Sequence, residues 1–297
     1  MRGLLEATGG ATGEPERVVD TRCHTGEGPL YHPDEGAVFW VDIPNGDLFR
    51  YDPATGGHGH CYGTDVIGGF TIERDGALLL FEDGGRIERL ENGAVDVVRE
   101  TVEGERDSRF NDVVADPRGR VFAGTMPTDD RLGRLYRIGL DGKLERLRDG
   151  IDIPNGMGFS PDGGTFYVTE SKPGRIDAYD YDPATGELSN RSTFVDCADE
   201  TGIPDGLTVD TEGRVWSARW NGGSLVCYSP AGEELRRIGF PARKVSSATF
   251  GGPNNSDLYV TTAGGGDRAT EGDGAGALFR LSVGATGRPE FRSALGV

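Results

Sequence analysis

The chain of 297 residues carries 49 acidic against 31 basic side chains, a formal charge of −18, and only Lys143, Lys172 and Lys244 among the basic ones are lysine. So negative a surface repels phosphate backbones and anionic lipid, which argues against nucleic acid and membranes as partners, and its lysine-poor acidity suits a halophilic protein hydrated in concentrated salt. Hydrophobic residues make up 35% of the chain and glycine fills 49 positions, a composition of many short strands and tight turns.

The segment from Met1 to Gly13 lacks the apolar run of a secretory signal, and no stretch approaches the roughly 20 apolar residues of a membrane span. A cytoplasmic protein is expected, with residues 1–14 as a poorly ordered extension of a single domain over 1–297.

From there two short patterns alternate. The first is a turn followed by an apolar strand: Asp34-Glu35-Gly36 before Val38 to Val41, Asp75-Gly76 before Leu78 to Phe81, and Arg118-Gly119 before Val121 to Ala123. It returns as Asp162-Gly163-Gly164 before Phe166 to Val168, Glu212-Gly213 before Val215-Trp216, and Asn255-Ser256-Asp257 before Leu258 to Val260. The second pattern is a glycine, a variable residue, an aliphatic residue and another apolar one three further on. It begins at Gly46, Gly85, Gly133, Gly174, Gly223 and Gly276. Six copies of each at a period of roughly 40 to 50 residues are the signature of propeller blades.

An all-β fold follows: a six-bladed β-propeller with four antiparallel strands per blade. The ring needs closing, and the segment from Arg17 to Cys23 is expected to add a strand to the last blade beside Glu290 to Ser293. The stretch from Ala263 to Gly276, rich in glycine, reads as a mobile loop at the rim of that blade.

In a propeller the innermost strands line the central channel. Reading the position just before the first turn, blade by blade, gives Glu27, Phe70, Asn111, Asn155, Asp205 and Ser247. Four are oxygen donors, and two carboxylates with two amide carbonyls balance one divalent cation while leaving room for water or substrate. Asn and Asp also favour turns, so each motif alone says little. Convergence of four blades on one axis is what makes the group a candidate site.

The set Glu27-Gly28-Pro29, Arg109-Phe110-Asn111-Asp112, Phe122-Ala123-Gly124-Thr125-Met126, Ile153-Pro154-Asn155-Gly156 and Ile203-Pro204-Asp205-Gly206 resembles the gluconolactonase and regucalcin family, over about residues 15 to 290. The resemblance implies a six-bladed propeller holding one divalent metal ion and hydrolysing a sugar lactone. It implies Glu27, Asn155 and Asp205 as direct ligands, Asn111 as a ligand or a contact through water, and Arg109 as a group for substrate hydroxyls. Asp129, after Gly124-Thr125-Met126, is the nearest match to an acidic sugar-binding residue, one methylene shorter than the family's Glu. The metal (Ca, Zn, Mg, Mn or Fe) and the sugar stay open, glucono-, xylono- and arabinonolactone all fitting, as does a monomer or small homo-oligomer. Asp205 is assigned as the base, or as the ligand that steers the attacking water.

The competing readings are a non-enzymatic calcium-binding propeller, and a propeller esterase or phosphotriesterase with a different substrate. No Gly-x-Ser-x-Gly elbow or phosphate-binding Gly-Lys-Ser/Thr loop occurs. His58 and His60 read as a solvated loop rather than a zinc site. Cys23, Cys61, Cys197 and Cys227 form no CxxC pair and read as buried free thiols.

Overall fold

The computed structural model describes residues 13–295. The expectation for the N-terminal extension therefore falls outside the described residues, apart from Gly13 and Glu14. Gly13 already donates its N–H to Ser282 O at 2.9 Å.

Strand β1 (Glu16–Val19) precedes the first blade of β2 (Gly26–His32), β3 (Ala37–Asp42), β4 (Asp47–Tyr51) and β5 (His58–Gly63). Blade 2 is β6 (Ile67–Ile72), β7 (Leu78–Glu82), β8 (Ile87–Glu91) and β9 (Ala94–Arg99). Blade 3 is β10 (Phe110–Ala115), β11 (Val121–Thr125), β12 (Gly133–Ile138) and β13 (Leu144–Ile151). Blade 4 is β14 (Pro154–Phe159), β15 (Thr165–Glu170), β16 (Arg175–Tyr181) and β17 (Leu188–Asp196). Blade 5 is β18 (Ile203–Val209), β19 (Val215–Trp220), β20 (Ser224–Tyr228) and β21 (Glu234–Gly239). Blade 6 takes β22 (Lys244–Gly251), β23 (Asp257–Ala263) and β24 (Leu278–Ser282) from the end of the chain and β1 from its start, in the order β1-β24-β23-β22. The two repeated patterns are thus the second and third strands of each blade.

Ring closure is where the sequence expectation needs correcting. The closing strand is Glu16–Val19 and its partner is β24, with Glu16 opposite Arg280 and Arg17 opposite Phe279. Residues after Ser282 instead cross the underside of the propeller. Gly287 bridges Asp210 of blade 5, Ser293 bridges Glu73 of blade 2, and Ala294 N donates to Gly119 O of blade 3. Phe279 and Leu281, on either side of Arg280, carry the apolar alternation of a paired strand, whereas Arg288-Pro289-Glu290 does not.

Because side chains alternate along a strand, each sheet offers one apolar face to each neighbour. The buried residues fall into six clusters, one per interface between adjacent blades. Phe39 and Leu48 of blade 1 pack with Ile67 and Leu80 of blade 2, and Val38 and Trp40 of blade 1 pack with Tyr259 and Leu278 of blade 6. The core is a ring of interfaces, which leaves the axis free for polar groups.

The glycine-rich stretch after Ala263 is tied down rather than loose. It holds a short helix, α1 (Arg268–Glu271), Gly264 N donates to His24 O and Gly265 N to Cys23 O, and Glu271 pairs with Arg243 at 3.0 Å and Lys244 at 2.9 Å. His58 and His60 lie on outer strand β5, not in a loop, and His60 Nε2 meets Asp47 Oδ1 at 3.0 Å. Cys23, Cys197 and Cys227 are buried free thiols, but Cys61 on the same edge strand is exposed. Among the described residues no helix is long and apolar enough to cross a membrane.

Candidate active site

Each innermost strand carries a β-bulge near its start, and the bulges set which residues reach the axis. Pairing steps from Glu27 to Leu30 in β2, from Phe110 to Val113 in β10, from Asn155 to Met157 in β14 and from Pro204 to Leu207 in β18. In blades 2 and 6 the bulged residues are Gly68 and Ser246, between Ile67 and Gly69 and between Val245 and Ser247. Phe70 and Ser247 therefore sit deeper than the sequence column placed them. Phe70 joins the core between blades 1 and 2, and both border a small pocket further down the channel. Ile67 and Val245, each the last residue paired before its bulge as Asn155 is in β14, hold the corresponding positions, an offset invisible without strand pairing.

Close approach of the inner strands explains the glycines that follow Asn155 and Asp205. A Cβ on Gly156 would lie 2.4 Å from Leu207 N, and one on Gly206 would lie 2.2 Å from Ser247 Oγ. These glycines sit in strands rather than turns, and their missing side chain lets neighbouring blades meet.

The strand starts enclose a cavity of about 220 Å³ lined by Glu27, Arg109, Asn111, Asn155, Ser171 and Asp205, with Thr25, Ile43, Met126, Ile153, Ile203 and Trp220 completing the lining. Ile153 holds a positive φ of 59°, the one β-branched residue to do so among the described residues, and directly precedes Pro154-Asn155. Strain of this kind persists where the surroundings fix it, commonly at functional sites.

Glu27, Asn111, Asn155 and Asp205 are buried. Asn155 Nδ2 donates to Asp205 Oδ1 and, at 3.2 Å, to Ser171 Oγ. Arg109 Nη1 donates to Asn111 Oδ1 and to Phe110 O, both at 2.8 Å, while Asn111 Nδ2 donates to Pro154 O at 2.9 Å. Glu27 and Asp205 line the same cavity, close enough for the Glu27 charge to act on Asp205. Burial, then the neighbouring Asp112 carboxylate, push Glu27 up to about 8, against a hydrogen bond from Gly28 N. Burial and then Glu27 push Asp205 well above the usual carboxylate range. Burial pulls Arg109 down to about 10, opposed by Glu27 and Asp205, so it stays a cation at neutral pH.

This donor set fits a divalent cation. Two carboxylates held together out of water repel unless a proton or a cation lies between them, and Asn111 and Asn155 add amide oxygens. A half-turn of the Asn155 amide exchanges Nδ2 for Oδ1 toward Asp205, an orientation the cation itself would select. Among the described residues no cluster of three or more His, Cys, Asp or Glu exists, so a histidine-rich or thiolate centre is not an option.

Asp129 is exposed and lies outside the residues that line this cavity. Two acids passed over in the sequence turn out to belong to the axis below it. Asp112 is half-buried by area yet enclosed in the channel, and burial raises it to about 6. Glu290, from the segment under the propeller, is raised to about 7 by burial. Adjacency to Asn111 was the only sign of Asp112, and Glu290 had none. A larger cleft of about 510 Å³ lies between the outer strands of blades 3 and 4, but Arg137, Arg148 and Arg191 there are already paired with Glu145, Glu170 and Asp177.

Fold and hub together define a six-bladed propeller with one acid-and-amide site on its axis. Residues 25–264 match the SMP-30/Gluconolactonase/LRE-like region, and the chain belongs to that family. It is 52% identical over 285 residues to pentonolactonase XacC of Haloferax volcanii, covering 93% of this chain and 97% of that protein. It is 32% identical to the regucalcin of Oryctolagus cuniculus, again over 93% of this chain and 97% of that one. Among solved structures it resembles the calcium-binding protein regucalcin from Agrobacterium tumefaciens, with a TM-score of 0.87, 27% identity, and coverage of 94% and 97%.

Proposed function

We propose that this protein is a sugar lactone hydrolase that opens an aldonolactone, foremost a pentonolactone, to the free aldonic acid with the help of one divalent cation. The observation that carries the reading is the gathering of Glu27, Asn111, Asn155 and Asp205 beside Arg109 in the lining of one cavity of about 220 Å³. The likeness to a pentonolactonase over nearly the whole of both chains supports the choice of substrate.

Glu27, Asn155 and Asp205 would hold the cation, with Asn111 bound directly or through water. When bound, the cation supplies Lewis acidity, polarising the lactone carbonyl and compensating the negative charge that develops on its oxygen. Asp205 takes the proton from the attacking water, whose oxygen adds to the carbonyl carbon. The ring C–O bond then breaks and its oxygen leaves as a hydroxyl, taking from Asp205 the proton removed from water. Arg109 keeps Nε and Nη2 for substrate hydroxyls while Nη1 holds Asn111. Asp129 would reach only hydroxyls that project past the rim.

Two measurements test the reading. Asp205→Ala should remove hydrolysis while circular dichroism and melting remain those of a folded propeller; near-normal turnover would take Asp205 out of the mechanism. A second reading, cation binding without catalysis, draws on the likeness to a calcium-binding regucalcin. It predicts that the protein adds nothing to the spontaneous rate of lactone opening.

A further inference from the structure

Trp220 is the single aromatic residue on the wall of the hub cavity. It closes strand β19, directly opposite Ile203, the residue two before Asp205, and is half-buried. Its ring is fixed from behind: Lys244 Nζ lies 5.2 Å from the ring centroid, and Lys244 is held in turn by Glu271 at 2.9 Å. Glu271 is anchored by Arg243, through its side chain at 3.0 Å and its backbone N–H at 2.7 Å. A half-buried indole with a cation against it is a preorganised surface rather than a freely turning side chain. Its Nε1–H has no hydrogen-bond partner among the described residues, which leaves a donor at the cavity wall. By contrast Trp216 donates its Nε1–H to Asp210 at 2.9 Å.

A polyhydroxylated lactone has two kinds of surface, an edge of hydroxyls and a carbonyl, and flatter patches of C–H. The cavity lining offers the same two chemistries, Glu27, Arg109, Asn111 and Asp205 on the one hand and Ile43, Met126, Ile153, Ile203 and Trp220 on the other. We propose that Trp220 is the specificity-determining residue of this cavity. Its ring packs against the C–H face of a hydroxylated lactone and its Nε1–H donates to a ring hydroxyl, so that sugar lactones are selected over unsubstituted ones. A site built to bond a hydroxyl discriminates strongly against an analogue that lacks it. The identity of the substrate rests on the lactonase reading; the contact between Trp220 and a polyol does not.

The test has a fluorescence arm and a kinetic arm. Trp40 and Trp216, each 1% exposed, lie in blade interfaces away from the cavity, so emission that responds to ligand reports on Trp220. Titration of the chelator-treated protein with xylonate, the ring-opened acid, should change emission saturably, and Trp220→Phe should abolish the change. In steady-state assays Trp220→Phe should raise KM for xylonolactone several-fold. Trp220→Leu should lower the preference for xylonolactone over γ-butyrolactone, as a ratio of kcat/KM, by about tenfold or more. An emission change that survives Trp220→Phe, or a preference left intact by Trp220→Leu, overturns the assignment. If the wild type opens neither lactone yet its Trp220 emission still responds to xylonate, the hydrolase reading falls and the contact stands.

Discussion

The Glu27 and Asp205 carboxyl groups, brought from blades 1 and 5, are buried side by side in the lining of one cavity on the axis of the propeller. Without a cation this pair holds a proton that an unfolded chain would release at ordinary carboxylate pH. Asp112, raised to about 6, and Glu290, raised to about 7, lie in the same channel and shift in the same direction.

The sign follows from linkage. A carboxyl whose pKa is higher folded than unfolded binds protons more tightly in the folded state, so stability falls as pH rises between the two values. For Glu27 that window runs from its ordinary value up to about 8. The carboxylates lowered by arginine or turn hydrogen bonds, such as Asp34, Asp75 and Asp162, act the opposite way only in the acid range below it. Chelator-treated protein in molar salt, where net-charge repulsion is screened, should therefore melt at progressively lower temperature from about pH 5 to pH 8, and Glu27→Gln should flatten the upper part of the curve. A Tm that climbs steadily through the window would contradict the upward shift of Glu27.

Arg109 faces both carboxylates and favours their charged forms. Arg109→Met should raise KM for a sugar lactone by roughly tenfold to a hundredfold, the worth of one or two hydrogen bonds to a charged group. Losing the positive charge raises the carboxyl pKa values further, so the acid limb of the pH–rate profile should move upward. A variant with altered KM but an unmoved acid limb would separate Arg109 from the acid pair.

How much of this was readable beforehand follows from which features are local. The strand repeats are local, and so were the six blades. Glu27, Asn111, Asn155 and Asp205 were legible because each sits in a short motif at the same point of its repeat. Phe70 and Ser247 were placed too high because the bulges in β6 and β22, which make Ile67 and Val245 the counterparts of Asn155, depend on pairing with β7 and β23. Glu290 and the closing partner of β1 were missed for a related reason: nothing in the sequence near residue 290 marks a segment that runs beneath five other blades' turns rather than along an edge strand.

The charge of −18 with only three lysines leads to a salt dependence. Self-repulsion of the carboxylates is relieved as the Debye length shrinks from about 10 Å at 0.1 M to about 3 Å at 1 M. The Tm should rise between dilute buffer and molar potassium chloride. Constancy or decline over that range would remove the case for a protein adapted to concentrated salt.

Cation and protons compete for the same oxygens. Added divalent cation should stabilise the folded protein, by about 2.7 kcal/mol at a hundred times its Kd, and its affinity should weaken as pH falls below the raised pKa of Glu27. Calorimetric titrations at pH 6 and pH 8 check this: tighter binding at pH 8 with proton release at pH 6 is expected, and equal affinity without proton release would place the cation elsewhere.

The most direct test is hydrolysis of a pentonolactone by protein stripped of metal, then supplied in turn with calcium, magnesium, manganese, zinc or ferrous iron. The account predicts a rate no greater than the spontaneous one after stripping, recovery with at least one of these ions, and no recovery in Asp205→Ala. Full turnover by the stripped wild type, or none under any of the five ions, would contradict it.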